Sequence, residues 1–341
     1  MTAGFFRNRR RVLLMGMACG ALLAGCRTDA AVTTTTPSPL AGKVISVDAG
    51  HGDTAKTDSY RIGVAGEREE WINLRVALEL QSLLEQAGAT VVMTRSTDVF
   101  VPLAERARIA RDAGAEAIVS VHHNATADRQ VNFPIVYFHG NASENQAGVA
   151  LGQALVDAFH EAGMFPAGTP SGVISDHAIF PTAGAALLRE SYGIPGVIAE
   201  ASFFSNPDEE QRLMRPDYNR REARAYLSAL ESFFSQPLPP VLPKYSQIQQ
   251  LPPFRAVQEA ERMSADAGRW HEAYAEGVAL AERDPGRALA LLEESARLFP
   301  DSPLAGDIHA RRARLLEQLG RKEEAVIEAQ RAREHYPAAP G

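Results

Sequence analysis

His51, Glu69, His122 and Glu200 are the residues whose types and places in the chain could do chemistry. His51 lies in Asp48-Ala49-Gly50-His51-Gly52, directly after the apolar run Val44–Val47. His122 lies in Ser120-Val121-His122-His123-Asn124-Ala125, directly after Ile118–Val121. Glu200 follows Gly196–Ala199, and Glu69 opens a stretch of helical spacing that carries Asn73 and Leu74. Two imidazoles and a carboxylate are the donor set that holds a catalytic zinc while leaving a position for water. A second carboxylate can then take that water's proton, which is why four residues are wanted and not three. Each position has a plain competitor. His51 could be a turn histidine bonded to backbone, and Glu70 crowds the same helix start as Glu69, where the helix dipole favours acids anyway. His123 adjoins His122. His177 beside Asp176 reads as a surface histidine, and His139, His160, His271, His309 and His335 show no partners in the sequence.

The elements that must position these residues are legible from periodicity. Val44–Val47, Val91–Met93, Ala117–Val121, Ile135–Phe138 and Gly196–Ala199 are short apolar runs suited to buried strands. Between them Leu74 to Leu84, Leu103 to Ala113 and Gly148 to Glu161 recur at helical spacing, and Pro207 to Phe234 reads as largely helical. Strands alternating with helices predict an α/β domain with a mostly parallel sheet flanked by helices. The C-terminal ends of its strands would open on one edge, where such folds place their sites. Gly50-His51-Gly52-Asp53-Thr54-Ala55 also fits a relaxed dinucleotide fingerprint, but residues 53–66 lack the apolar periodicity of the helix that fingerprint requires, so no nucleotide site is expected.

Taken in order, Asp48-Ala49-Gly50-His51-Gly52, Arg68-Glu69 with Asn73-Leu74, Ser120-Val121-His122, and Glu200 before Phe203 and Ser205-Asn206-Pro207 resemble the zinc-dependent N-acetylmuramoyl-L-alanine amidases of the type 3 family, over roughly residues 43–234. The resemblance implies Zn²⁺ held by His51, Glu69 and His122, and Glu200 as the catalytic glutamate. It also implies peptidoglycan as substrate, cut at the amide between the lactyl group of muramic acid and L-alanine. Alignment on Asn73-Leu74 selects Glu69 over Glu70. Three departures stand out: His123 where a small residue is usual, Asp53-Thr54-Ala55 in place of a Gly-rich continuation, and Ala201-Ser202 where a Gly would precede the Phe. The alternative is a non-catalytic peptidoglycan-binding or scaffold lipoprotein acting through its helical repeats.

The flanks carry other information. Arg7, Arg9, Arg10 and Arg11 precede the apolar run Val12–Leu23, which ends in Leu23-Ala24-Gly25-Cys26 and resembles a bacterial lipobox. This predicts a signal peptide over 1–25, lipidation at Cys26, a flexible tether over 26–40 and a periplasmic protein anchored by lipid to a membrane, the outer one because no Asp follows the cysteine. The catalytic domain is expected over 41–235. A Pro-rich linker over 236–254 leads to a helical segment over 255–341, which resembles tetratricopeptide repeats through Phe299-Pro300 and Tyr336-Pro337, 37 residues apart. Such repeats suggest a protein partner. The 341 residues hold only two cysteines, Cys19 and Cys26, which excludes a disulfide framework or a cysteine zinc cluster, and a net charge of −7 offers nucleic acid no basic field.

Overall fold

The computed structural model describes residues 37–244, 251–256 and 259–337. The expected signal peptide, Cys26, most of the tether and part of the Pro-rich linker lie outside the described residues.

Six strands form one mixed sheet: β1 (Val44–Ala49), β2 (Thr90–Met93), β3 (Ala117–Asn124), β4 (Ile135–Phe138), β5 (Gly172–Ser175) and β6 (Gly196–Phe203). Their order is β2-β1-β3-β6-β4-β5. The first four in that order are parallel, whereas β4 runs antiparallel to β6 and β5 parallel to β4. The mostly parallel sheet read from the sequence is therefore present, with a reversed pair at one side. β3 and β6 run past the last apolar residue and take His122 and Glu200 into the sheet. Burial on both faces gives their polar residues partners, so polarity does not end the strand here.

The two faces are covered by different parts of the chain. One face presents Ile45, Val47, Val119, Val121, Val136 and Val197 to a core shared with α1 (Glu69–Gln86), α3 (Gln146–Glu161) and α6 (Pro216–Phe234). α2 (Leu103–Asp112) and α4 (Ala186–Glu190) pack Ala107, Ala110 and Leu187 against Ile118 on the other face. α5 (Pro207–Leu213) precedes α6, and Pro216 starts the new helix where the sequence reading ran the two together. Asn206 caps α5 through the amides of Asp208 and Glu209, both at 3.1 Å.

The C-terminal segment is all helical: α7 (Glu259–Arg262), α8 (Trp270–Leu280), α9 (Pro285–Leu298), α10 (Ala305–Gln318) and α11 (Lys322–His335). α8 to α11 pack in succession around Ala288, Leu292, Ile308 and Leu315. Phe299 and Tyr336 each follow the end of a helix. Trp270, Leu298 and Phe299 form a second core with Phe133, Ile135, Tyr137, Ile174 and Phe203, so these helices cover the β4–β5 side of the sheet's other face. Among the described residues no helix is long and apolar enough to cross a membrane.

Candidate active site

The parallel strands β1, β3 and β6 open at one edge, and the site is built there. His51 comes two residues after β1, His122 lies near the end of β3, and Glu200 stands directly opposite His122 in the β3–β6 register. Glu69 is the first residue of α1. One Glu69 oxygen, Oε1, lies 3.0 Å from His122 Nδ1 and 3.1 Å from His51 Nε2. The two imidazoles meet edge to face with centroids 4.7 Å apart. The three residues offer donor atoms within 4.8 Å of one another.

Electrostatics bias Glu69 and His122 toward the protonation states of metal donors. Burial alone would raise the Glu69 carboxyl, but the adjacent His51 and His122 keep it well below the usual carboxylate range. Burial, with the neighbouring His51, pushes the His122 imidazole below its ordinary value despite the pull of Glu69. An anionic carboxylate beside a neutral imidazole is what a divalent ion needs.

The competitors are occupied elsewhere. Glu70 is fully buried and accepts from Arg68 Nε at 2.7 Å. His123 points to the opposite face, as strand alternation requires. There its Nδ1 bonds Asn73 Oδ1 at 2.8 Å and its Nε2 lies 3.2 Å from Glu222 Oε2 on α6.

Residues that the sequence reading passed over fix the geometry. His51 has φ 59°, in the left-handed region that a non-glycine residue adopts only when the surroundings impose it. Arg106 Nη2 donates to its carbonyl, and Arg106 Nη1 reaches both the Ala49 carbonyl and Asp48 Oδ1 at 2.8 Å. Arg95 donates to the carbonyls of Ala49 and Gly50 at 2.7 and 2.8 Å. Burial would raise the Asp48 carboxyl, but Arg106, Ser120 and Thr94 bring it below the ordinary value, so the loop is anchored on a buried charge pair. Gly50 admits the His122 ring, since a Cβ there would sit 2.2 Å from His122 Nε2. Asn73, one turn along α1, donates to Glu69 Oε1 at 3.2 Å and to the Gly50 carbonyl at 3.3 Å. Arg61 lies 3.6 Å from Glu69 Oε2 and stacks on Tyr60. Glu210 of α5 accepts from the amides of Ala65 and Glu67, which sets the approach to α1.

Residues 45–232, more than half of the chain, match the profile of the N-acetylmuramoyl-L-alanine amidases of type 3. The chain belongs to that family. A Staphylococcus aureus protein described as "Probable cell wall amidase LytH" is 28% identical over 221 residues, covering 62% of this chain and 67% of the relative. Its Staphylococcus saprophyticus counterpart is 27% identical over 206 residues, covering 58% of this chain but only 60% of the relative. The crystal structure of an N-acetylmuramoyl-L-alanine amidase from Clostridium difficile 630 shares the fold, with a TM-score of 0.50 and 21% identity over 57% of this chain and 98% of that one.

Proposed function

We propose that this protein is a zinc-dependent amidase that hydrolyses peptidoglycan at the amide joining the lactyl group of muramic acid to L-alanine. The observation that carries the reading is the convergence of His51, Glu69 and His122 at the sheet edge, with Glu200 in register beside His122. Family membership supplies the substrate class.

The residues fit the ion. Donor separations of 3.0 and 3.1 Å lie a few tenths of an ångström inside the ~3.3–3.6 Å between tetrahedral ligands about 2.0–2.2 Å from a shared centre, so a small outward shift of the donors admits the ion. His51 Nε2 is buried and faces Glu69 Oε1 at 3.1 Å, so two donor atoms of the set already face each other. Zinc bound there supplies Lewis acidity to the scissile carbonyl and to an attacking water. Glu69 brings the negative charge of the donor set, and Asn73 holds its carboxylate in place. Glu200 takes the proton from the attacking water and returns it to the nitrogen of departing L-alanine as the carbon–nitrogen bond breaks. The Arg95 and Arg106 guanidiniums keep the His51 loop from relaxing when the site is empty or filled.

Location belongs to the same proposal. A lipid at Cys26 would tether the enzyme to a membrane facing the wall, and the stacked C-terminal helices would offer a protein partner a docking face. The decisive experiment is digestion of purified sacculi, with products read by mass spectrometry. Free stem peptides and peptide-less glycan, abolished by a chelator and restored by Zn²⁺, are expected. Sacculi that bind the zinc-loaded protein but stay intact would overturn the enzyme in favour of a binding lipoprotein.

A further inference from the structure

A second group of histidines lies at the other end of the sheet. β4 pairs antiparallel with β6, Ile135 opposite Glu200 and Phe138 opposite Val197, so β4 runs away from the catalytic edge. Three strand residues, roughly 10 Å, separate the two ends of that pairing. His139 follows β4 directly. β5 runs parallel to β4, and Asp176 and His177 follow it directly. The last residue of α11, His335, is brought to the same place by the C-terminal segment.

His139, Asp176 and His177 offer donor atoms within 4.8 Å of one another. The His139 and His177 rings are 5.4 Å apart, and the His177 and His335 rings 5.8 Å. All line one cleft of about 280 Å³ apart from Asp176, which lies beneath it. His139, Asp176 and His335 are at least 95% buried, at relative exposures of 5%, 1% and 3%. Asp176 is fixed on every side: Oδ2 is 2.7 Å from His139 Nδ1 and accepts from the Ala185 amide at 2.7 Å, and Oδ1 accepts from the Gly140 amide at 3.3 Å. Gly184, at φ 70°, folds tightly over the pair, because a Cβ there would stand 2.6 Å from both Asp176 Oδ2 and His139 Nδ1.

An Asp–His pair alone would explain a capped loop. It would not explain His335, whose Nδ1 is buried without a hydrogen-bond partner. A polar atom in that state is costly unless something pairs with it. Burial holds the His335 imidazole well below its ordinary value, helped by Arg331 and His177. Burial also lowers His177, with His139, Lys244 and Arg331 adding to it against Asp176. The His177 and His335 imidazoles are thus biased toward the neutral form, the one that binds metal.

We propose that His139, Asp176 and His177 form a second metal site for a divalent ion of the zinc, copper or nickel class, with His335 bordering it. Imidazole-rich sites prefer those ions to Mg²⁺ or Ca²⁺. The donors follow β4 and β5, so the ion ties those two strand ends together at the edge remote from the catalytic residues, with His335 of α11 against His177. Its role is structural, and the catalytic residues are not needed for it.

The test is zinc stoichiometry of the full-length protein, stripped of metal and dialysed against Zn²⁺, measured by elemental analysis. Two ions per chain are expected in the wild type, one in His177→Ala, one in His51→Ala and none in the double variant. His177→Ala keeps its chelator-sensitive amidase activity. Because His177 is partly exposed, its replacement should leave the metal-free melting temperature at the wild-type value. Zinc should raise the melting temperature of His51→Ala but not that of the double variant. One ion in the wild type that disappears in His51→Ala would overturn this site and leave the catalytic reading standing. One ion that survives in His51→Ala and disappears in His177→Ala would do the reverse. Two ions in His177→Ala would also sink the second site.

Discussion

At the scale of single residues the site separates the metal donors from the proton carrier. Glu69 is wedged between two imidazoles and tied to Asn73, so it has no freedom to shuttle a proton. Glu200 comes from β6 instead, directly opposite His122 in the β3–β6 register. Glu200→Gln keeps the shape and removes the base, so it should bind zinc as the wild type does while turnover on sacculi falls by about 10²–10⁴-fold. Elemental analysis beside mass-spectrometric product counting checks both halves, and wild-type turnover in this variant would remove Glu200 from the chemistry. The sequence exposed His51, His122 and Glu200 because each stands just past an apolar run, where a polar residue needs a reason, and Glu69 through its spacing to Asn73-Leu74 at a helix start. It did not expose Arg95 and Arg106. Arginine is read as a surface residue by default, and nothing local shows that a guanidinium is buried against the carbonyls of a loop some 45 to 55 positions away. The choice of His122 over His123 had a local signal: Val119 and Val121 face the α1 side, so the next residue on that face is His123.

At the scale of elements, buried ion pairs do the joining where small apolar residues leave gaps. α10 and α11 are rich in Ala and Arg, and between them Glu328 lies 2.7 Å from His309 Nδ1 and 3.0 Å from Arg312 Nε. Burial alone would raise the Glu328 carboxyl, but His309 and then Arg312 bring it down to about 2. His309, buried, is itself lowered from its ordinary value. The sign is the same for both groups. A carboxyl whose folded value is depressed stabilises the fold above its unfolded value near 4.5, and that contribution drains away as pH falls towards 2. A depressed histidine likewise favours the fold above about 6.5 and opposes it below. Acid should therefore loosen the α10–α11 pairing first. Glu328→Gln should lower stability at pH 7 by on the order of 2 kcal/mol and flatten the loss between pH 4.5 and 2. Urea denaturation across that range measures it, and parallel pH profiles for the two proteins would contradict the pairing. Element types and most strand positions were legible from period-two and 3.6-residue patterns. β5 was not, because Gly172–Ser175 is four residues long at a sheet edge and has no run of its own to announce it.

At the scale of the whole molecule, the C-terminal helices are part of the catalytic fold's core and not an appendage on a stalk. A sheet of this kind must cover both faces; on the β4–β5 side the crossover helix α3 covers one, and the other needs a second cover. Trp270, Leu298 and Phe299 fill that place against Phe133, Ile135, Tyr137 and Phe203. A buried polar knot ties the same surfaces. Asp301 accepts from both Arg262 and Tyr137, and from Asn124 Nδ2 at 3.2 Å, two residues beyond His122. The Pro-rich stretch before the helices and their own Ala- and Glu-rich composition gave no sign of this, since a shared core depends on which aromatic side chains meet across sequence. One consequence is a single cooperative unit. Phe299→Ala removes a fully buried ring that touches Phe133, Phe203 and Trp270, and should cost about 3–5 kcal/mol. That loss should appear as one downward shift of a single unfolding transition, reported alike by far-ultraviolet circular dichroism and by loss of amidase activity. Independent units would instead give two transitions, with activity persisting through the first and Phe299→Ala moving only that one. The outcome also decides how the enzyme can be regulated: in a shared core, anything that binds the helices acts on the sheet that carries His122 and Glu200.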